Sequence, residues 1–321
     1  MGVRIFSVTF LKLEKYVRYT ICDTAEIHPD SLPCLLDPRV QFTHNKSDII
    51  QNPAIQAVFV VTPADAHFQI ASDVLQNGKH VYIEKPVTTK SRELEALIAL
   101  ADKNEKILFP SHTYLYTREM MEIHESIHKN GFLGKPLIYQ SNRSNFGRFR
   151  KDINVAWDLA VHDLYIIKYL FSQTPVSVSA TGLKVDDEFP EVMSTINIKY
   201  DGGLNASITV NWLSPQKYRD TIIIGSKGSF IYYDCLIDNK ITSCGIKVPT
   251  SLKNVDYNDE KKKDIIALEK GEAIAEQIRC FFSRIRNGNV KNIEANFSFE
   301  IIKTLEAVDV SIMHSGMPYY F

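Results

Sequence analysis

The sequence predicts an α/β domain with a doubly wound parallel sheet over residues 1–115. An α+β domain with a large, mostly antiparallel sheet flanked by helices is predicted over residues 116–321. Short apolar runs alternate with helical patterns up to about residue 110, which is typical of right-handed βαβ units. Beyond that point, strands with alternating apolar and polar residues follow one another with few helices between them. A chain of 321 residues with 45% hydrophobic content can build two such cores.

The elements of the first domain follow from apolar spacing and end signals. The run AVFVV over 57–61 is nearly continuous and β-branched, as in a strand covered on both faces. The helical pattern HFQIASDVLQNG stops at Gly78, and SRELEALIALADKNE is an amphipathic helix with Ser91 as its expected N-cap. Further strands are predicted in YTICD, in KHVYIEKP, which Pro86 closes, and in KILFPSH.

The second domain is predicted to contain a helix, WDLAVHDLYIIKYLF, that leads into the sheet. Two late helices end at Gly288 and Gly316. Turn residues in EFP, DGG and SKGS separate the strands. The predicted strands lie in LIYQSNRSN, VSVSATGLKV, MSTINIKY, LNASITVNWL and DTIIIGSKGSFIYYD. The charged stretch DEKKKD, between residues 256 and 264, is predicted to be a solvated loop.

The composition excludes several classes of partner and site. A net charge of -1 gives no electrostatic reason to expect nucleic acid or an anionic membrane as the main partner. No apolar run approaches the roughly 20 residues of a transmembrane helix, and no signal-peptide pattern opens the chain. The five cysteines are scattered without a CxxC pair, so neither a disulfide framework nor a metal site is indicated. A reducing, cytoplasmic setting is therefore expected.

The stretch IEKP places Glu84 and Lys85 directly after a predicted parallel strand. Open α/β sheets bind ligands at the carboxyl ends of their strands. A lysine at that edge can act as a general acid or base when burial or a neighbouring cation lowers its pKa. The alternative is an ordinary surface lysine that follows a strand.

Two further patterns lie at the start of the second domain. In WDLAVHD, Asp158 and His162 are four residues apart, so a helix puts them on one face, where the carboxylate can orient the imidazole. The stretch SNRSNFGRFRKDIN mixes arginines, which suit phosphate groups, with asparagines, which suit sugar hydroxyls. Each pattern alone also fits an exposed surface segment.

Together, EKP and the downstream WDLAVHD resemble the glucose–fructose oxidoreductase/inositol dehydrogenase (Gfo/Idh/MocA) family, over about Val3 to the last helix. The stretches VVTPADAHFQIA, PSHTYLYTREM and GFLGKPLIY fit this resemblance. It implies a Rossmann-like first domain and Lys85, Asp158 and His162 as catalytic residues. The branch that acts on nucleotide-activated sugars, such as UDP-N-acetylglucosamine 3-dehydrogenases, is the most similar. In that branch the expected substrate contacts are Arg143, Asn145, Arg148, Asn154 and Trp157. His112 follows a predicted strand at the same sheet edge and is a further candidate to line the substrate pocket. For His112, a packed histidine is the alternative.

The resemblance implies hydride transfer between a nicotinamide and a sugar carbon, with Lys85 or His162 taking the hydroxyl proton and Asp158 tuning the pair. The expected cofactor contacts are Asp23, Thr62, Pro63, His67, Glu84 and Lys85. NAD(H) is favoured over NADP(H) because Asp23 would repel a 2′-phosphate and no arginine directly follows it. A sugar or nucleotide sugar is the expected substrate, and the antiparallel sheet is expected to form a homodimer or homotetramer.

The beginning of the chain departs from this family pattern. A glycine-rich phosphate loop is expected before Asp23, yet only Gly2 precedes it. One interpretation is that VRIFSV is the first strand and that its loop and helix are deleted. The other is that VRIFSVTFLKL is the later part of the first helix. We prefer the second, because a crossover between two parallel strands needs a dozen or more residues and the first leaves only a few. Weak or absent cofactor binding is then expected. The alternatives for function are a non-catalytic, cofactor-free relative that binds a sugar or a partner subunit, and a dehydrogenase of a free polyol such as inositol.

Overall fold

The computed structural model describes residues 18–28, 30–147, 149–245, 248–249 and 263–321. The stretch VRIFSVTFLKL, interpreted above as part of the first helix, therefore lies outside the described residues. Most of the DEKKKD stretch, predicted to be a solvated loop, lies outside them as well. The chain divides into two compact units. The first contains the residues up to Thr113 together with Glu272–Phe299, and the second contains Tyr114–Gly271 with Glu300–Phe321.

The described residues form strands and helices in an order that begins with the βα alternation. The strands are β1 Tyr19–Cys22, β2 Val40–Thr43, β3 Ala57–Val60, β4 His80–Ile83, β5 Leu108–Pro110, β6 Pro136–Phe146, β7 Pro175–Leu183, β8 Met193–Tyr200, β9 Asn205–Asn211, β10 Leu213–Gly225, β11 Ser229–Tyr233, β12 Ile241–Cys244, β13 Lys263–Ile266 and β14 Tyr319–Tyr320. The helices are α1 Ser47–Ile50, α2 His67–Gln76, α3 Ser91–Lys103, α4 Arg118–His128, α5 Val161–Phe171, α6 Ala273–Arg286 and α7 Ile293–Met313.

The first unit contains only parallel strand pairs among its described residues. Strands β1 and β2 pair in parallel, and β3, β4 and β5 form a second parallel group with β4 at its centre. Val81, Tyr82 and Ile83 of β4 are completely buried, as expected for a strand covered on both faces. The predicted βαβ pattern is therefore confirmed for this unit.

The late segment Glu272–Phe299 belongs to the first unit, although the sequence pattern placed one boundary after residue 115. Phe281 of α6 packs edge-on against Tyr82 of β4, at 5.8 Å between ring centroids. The Tyr82 hydroxyl donates to Gln277 Oε1 (2.8 Å), and Asn292 Oδ1 accepts from the Leu108 N–H of β5 (2.7 Å). Aromatic burial and side-chain hydrogen bonds thus join this segment to β4 and β5.

The second unit is built on a nine-stranded sheet in the order β13-β12-β11-β10-β6-β9-β8-β7-β14. Its neighbouring strands are antiparallel except for the parallel pair β6 and β9, so the prediction of a mostly antiparallel sheet is confirmed. Side chains of β8 and β9 alternate between buried and more exposed positions, which gives the sheet one apolar face. Helix α5 supplies Val161, Leu164, Ile166, Ile167 and Leu170 to the core.

Three local features differ from the sequence prediction. Ser91 is the first residue of α3, and Lys90, with extended backbone, occupies the N-cap position. The predicted helix from Trp157 begins with a π-helical turn, Ala156–Ala160, before α5 continues as an α-helix. Such turns are frequent at functional sites. Among the described helices, none combines the length and apolar character that would let it cross a bilayer.

Candidate active site

The EKP turn follows β4 directly, at the carboxyl edge of the parallel strands. Glu84 and Lys85 are both partly exposed, and the Lys85 backbone N–H donates to Glu84 Oε2 at 3.1 Å. The Lys85–Pro86 peptide bond is cis. The turn therefore presents an acid and a base at the edge where ligands bind in open α/β sheets.

His67 lies behind this edge and is 1% exposed. Its Nδ1 lies 2.9 Å from the carbonyl oxygen of Pro86, and its Nε2 lies 2.9 Å from that of Thr62. Because carbonyl oxygens only accept, a neutral imidazole can donate to one of them at a time. The side chain thus connects the turns after β3 and β4 from the inside. It supports the predicted cofactor edge and offers almost no surface to a cofactor.

The other predicted cofactor residues of the first unit follow β1 and β3. Asp23 is partly exposed, and its Oδ1 accepts from the Ala25 N–H at 3.0 Å. Thr62 and Pro63 are exposed. A carboxylate and an exposed turn that follow parallel strands suit the ribose and nicotinamide ends of a dinucleotide. These residues therefore fit NAD(H), in which Asp23 would hold ribose hydroxyls.

His112, a predicted substrate contact with a packed histidine as the alternative, is buried at 4% exposure. Its Nε2 lies 2.9 Å from Ser298 Oγ, whose own hydroxyl donates to the Glu294 carbonyl. Nε2 is therefore the protonated nitrogen that donates to Ser298. Burial lowers the pKa of His112 to about 3. This placement favours the packed alternative.

In the second unit, Asp158 lies in the π-helical turn with its carboxylate held by sequence-distant groups. Its Oδ2 accepts from the Trp212 indole Nε1–H at 3.1 Å, and its Oδ1 lies 3.8 Å from Arg150 Nη1. The Asp158 side chain is 20% exposed, so it is fixed yet open to a ligand. A carboxylate in this state can orient a polar neighbour or a substrate hydroxyl.

His162 lies in the first turn of α5, four residues after Asp158. Its ring packs against the Tyr114 ring, with 4.9 Å between centroids. The Tyr114 hydroxyl donates to Asp234 Oδ2 at 2.9 Å, which fixes the ring. Burial raises the pKa of Tyr114, so the phenol stays protonated and remains a donor.

Arg143 does not occupy the exposed position expected of a diphosphate contact. It is 1% exposed, and its Nε donates to Asp163 Oδ2 at 2.8 Å. Asp163 is completely buried and also accepts from the Tyr139 hydroxyl at 2.8 Å. The Arg143 guanidinium lies 4.5 Å from the centroid of the Tyr114 ring. A side chain this deeply buried cannot reach a substrate phosphate. Arg143 instead supports the Tyr114 ring, which packs on His162.

Asn154 and Trp157 are also drawn into the protein interior. The Asn154 Oδ1 accepts from the backbone N–H groups of Ala156 (3.1 Å) and Trp157 (3.2 Å), as an N-cap does. Asn154 Nδ2 and the Trp157 indole both donate to the carboxylate of Asp309, at 2.8 and 2.7 Å. Exposures of 8% and 4% leave little of either residue for a substrate.

The remaining predicted substrate contacts lie near the end of β6. Asn145 is partly exposed, and its Oδ1 accepts from Arg219 Nη2 at 2.5 Å. Phe146 and Phe149 pack edge-to-face, with 5.8 Å between centroids. Arg148 lies outside the described residues. Asn145 therefore keeps a position compatible with substrate contact.

Four residues of this arrangement escaped the sequence analysis: Trp212, Tyr114, Asp309 and Arg150. Trp212 and Asp309 lie 54 and 152 residues from their partners Asp158 and Trp157, so local spacing gave no signal. A general rule could have pointed to Trp212, because a buried indole N–H needs an acceptor.

Comparison with known proteins identifies both units. The model of an oxidoreductase family with an NAD-binding Rossmann fold matches residues 25–112, and that of the GFO/IDH/MocA C-terminal domain matches residues 124–231. The UDP-N-acetylglucosamine 3-dehydrogenase of Acidithiobacillus ferrooxidans is 33% identical over 132 residues, which is 40% of this chain and 40% of that relative. The scyllo-inositol 2-dehydrogenase (NADP(+)) of Bacillus subtilis is 26% identical, over 84% of this chain and 80% of that protein.

Solved structures share the fold over nearly the whole chain. The oxidoreductase yvaA of Bacillus subtilis has a TM-score of 0.82 at 20% identity and covers 100% of this chain and 96% of that structure. The Acidithiobacillus ferrooxidans UDP-N-acetylglucosamine 3-dehydrogenase has a TM-score of 0.79 at 19% identity, with 98% and 95% coverage. The two family matches, one in each unit, show that the chain belongs to the Gfo/Idh/MocA family of NAD(P)-dependent oxidoreductases.

Proposed function

We propose that this chain oxidises or reduces one carbon of a nucleotide-activated sugar with NAD(H). The observation that carries the proposal is the fixed pair of Asp158 and His162, one bound by the Trp212 indole and the other packed on Tyr114. Two ionisable groups held in place within one helical segment suit the handling of a substrate hydroxyl. The EKP turn of the first unit supplies a further candidate, Lys85.

The residues divide the work as follows. Bound NAD supplies hydride chemistry at its nicotinamide ring. Lys85 or His162 takes the proton of the sugar hydroxyl during oxidation and returns it during reduction. Asp158 orients this hydroxyl and the imidazole, because the Trp212 indole fixes its carboxylate. Glu84, Thr62 and Pro63 line the cofactor edge, with His67 behind them.

NAD(H) is the proposed cofactor rather than NADP(H). Asp23 directly follows β1, and its carboxylate accepts one hydrogen bond from the Ala25 N–H. Such an acid suits the two ribose hydroxyls and repels a 2′-phosphate. The residue after it is Thr24, which supplies no positive charge.

The nucleotide-sugar substrate is supported by the 33% identical relative, whose name states UDP-N-acetylglucosamine. A free polyol is the second candidate, because an inositol dehydrogenase is similar over 84% of this chain. The buried positions of Arg143 and Asn154 shift the proposed polar contacts to Asn145 and Arg150.

A second copy of the chain is the proposed partner, through the nine-stranded sheet. The exposed apolar side chains on its strands include Ile138, Val176, Leu183 and Tyr320. Analytical ultracentrifugation is expected to show a dimer or tetramer, and a monomer at micromolar concentration would contradict this part of the proposal.

The test is NADH formation, followed at 340 nm, by the purified 321-residue chain. UDP-N-acetylglucosamine, free N-acetylglucosamine, scyllo-inositol and myo-inositol are compared with NAD⁺ and with NADP⁺. The expected result is turnover with the UDP-linked sugar and NAD⁺. Turnover with inositol alone would establish the second candidate. No turnover with any pair, together with no NADH binding by calorimetry, would overturn the proposed function.

A further inference from the structure

The helical segment that carries Asp158 and His162 is fixed at its beginning by a cluster of side chains from outside the segment. Asn154 Oδ1 caps the segment by accepting from two backbone N–H groups. The Nδ2 of the same amide points to Asp309 Oδ1 at 2.8 Å, and the Trp157 indole donates to Asp309 Oδ2 at 2.7 Å. One carboxylate of α7 therefore holds both the capping residue and the residue directly before Asp158.

The contacts of Asp309 are those of a structural acceptor rather than an ion pair. The two groups that donate to it, the Asn154 amide and the Trp157 indole, are neutral. Burial raises the pKa of Asp309, the two hydrogen bonds oppose the rise, and Glu191 and Glu306 add to it. Glu191 also reaches Asn154 Nδ2 at 3.4 Å, and Lys184 lies 3.7 Å from Glu191. Asp309 is thus a partly buried acid that accepts from two neutral donors, an arrangement in which it fixes the groups that donate to it.

We propose that Asp309 is a positioning residue of the reaction, which fixes the Asp158 carboxylate through Asn154 and Trp157. The proposal rests on the proposed function for the roles of Asp158 and His162. The hydrogen bonds run from α7 to the cap, from the cap to the π-helical turn, and from Asp158 in that turn to Trp212. A displacement of the turn therefore moves the carboxylate relative to the indole.

The substitution Asp309→Asn tests this directly with little change in side-chain volume. The carboxylate accepts through both oxygens, whereas an asparagine has one oxygen and one NH₂ group. The NH₂ group must then face either the Asn154 amide donor or the Trp157 indole donor, so one hydrogen bond is lost. Glu300→Gln is the matched control, because Glu300 also joins α7 to α5 by accepting from Lys168 Nζ at 2.7 Å. That contact lies beyond His162 along α5.

The primary measurement is the ¹H–¹⁵N spectrum of the tryptophan indoles. The chain has two tryptophans, and each indole reports one carboxylate: Trp157 reports Asp309 and Trp212 reports Asp158. Trp157→Phe and Trp212→Phe assign the two signals. Asp309→Asn is expected to shift both signals, and Glu300→Gln is expected to shift neither. This measurement does not depend on the substrate or on any activity.

The Trp212 signal decides the proposal. If Asp309→Asn moves only the Trp157 signal, Asp309 makes a local contact and does not position Asp158, which overturns the proposal. If Asp309→Asn does not fold, Asn154→Ser replaces it, because serine keeps the cap acceptor and removes the amide NH₂ that donates to Asp309.

Kinetics provide the second readout. A small misplacement of a reacting group costs up to about hundredfold in rate, so kcat is expected to fall by about tenfold or more in Asp309→Asn. KM is expected to change less than kcat, because the substrate contacts other than Asp158 are untouched. Glu300→Gln is expected to leave both constants near wild type. An unchanged kcat in Asp309→Asn would contradict the proposal, whereas an inactive wild type would overturn only the proposed function.

Discussion

The two units hold their candidate functional groups in different ways. In the first unit, Asp23, Thr62 and Lys85 lie on turns after parallel strands. The contacts that support these turns reach backbone carbonyls, such as those from His67 to Thr62 and Pro86. In the second unit, Asp158 and His162 lie on a helical segment, and side chains such as Trp212 support them.

This difference has a consequence for substitution. A carbonyl acceptor is present whatever the side chain, so many sequences can form a supported turn. A carboxylate held by an indole depends on two particular residues, and loss of the carboxylate leaves the buried Trp212 N–H without this acceptor. We therefore expect the second unit to lose function more steeply than the first when a supporting residue changes.

The largest expected effect tests the proposed proton acceptors, one in each unit. Lys85→Met and His162→Asn are each expected to lower kcat by about 10²- to 10⁴-fold, the range of general acid–base catalysis. NADH binding is expected to persist in His162→Asn. Steady-state kinetics with the substrate that the wild type turns over measure both.

Lys90→Met is the control for Lys85→Met, because Lys90 is an exposed lysine five residues further along the chain. It is expected to retain wild-type kcat. If Lys85→Met retains wild-type kcat as well, the first unit supplies no proton acceptor, and the proposed proton transfer involves only the second unit.

Much of the fold could be predicted from the sequence, because local periodicity reports local structure. The parallel and antiparallel patterns identified both sheets, and MSTINIKY coincides with β8. The association of Glu272–Phe299 with the first unit was not predictable, since it depends on Phe281 and Gln277 meeting β4 across almost 200 residues. The π-helical turn likewise lacks a signal in residue spacing.

The next effect concerns the stability of the first unit at acid pH. His112 has a folded-state pKa of about 3, lowered by burial, against an ordinary value of 6.5. The unfolded chain therefore binds a proton at His112 that the folded chain does not, between about pH 6.5 and 3. Since stability rises with pH wherever the unfolded state binds more protons, this histidine destabilises the fold by about 2 kcal/mol between pH 7 and pH 5.

Substitution of the histidine should remove that dependence. Between pH 7 and pH 5, the free energy of unfolding of His112→Asn is expected to fall by about 2 kcal/mol less than that of wild type. Urea unfolding followed by circular dichroism measures both. The packing loss of the variant cancels in this difference. His80→Asn should remove a nearly equal loss over this range, because burial and Lys106 lower the pKa of His80 to about 4, which still lies below pH 5. An unaltered difference in His112→Asn would show that His112 charges in the folded state.

The third effect isolates one support of Asp158. Trp212→Phe keeps most of the buried ring and removes the indole donor to Asp158. A hydrogen bond to a charged group contributes about 1.5–3 kcal/mol, so kcat is expected to fall by about tenfold or more, with KM changed less. Phe149→Leu is the control, because Phe149 packs edge-on against Trp212 and is 41% exposed. Equal losses in both variants would indicate that packing, rather than the hydrogen bond, supports the carboxylate.

The candidate site contains residues that motif spacing could identify and one, Arg143, whose orientation it could not. The motifs identified Lys85, Asp158 and His162 because each lies at a fixed spacing from a strand or helix signal. The family resemblance implies that Arg143 is a substrate contact. Its position on β6, however, turns it inward towards Asp163, and only strand register gives that information.

The smallest expected effect concerns the supports of the turns in the first unit. His67 connects the turns after β3 and β4, and His44 Nδ1 donates to the carbonyl of Asp23 at 2.9 Å. A typical hydrogen bond contributes about 1 kcal/mol, so His67→Ala is expected to raise the Kd for NADH by about fivefold or more. His44→Ala should raise it by less, because His44 is more exposed. Calorimetric titration measures both, and a larger effect at His44 would mean that the ribose end, rather than the EKP turn, determines cofactor affinity.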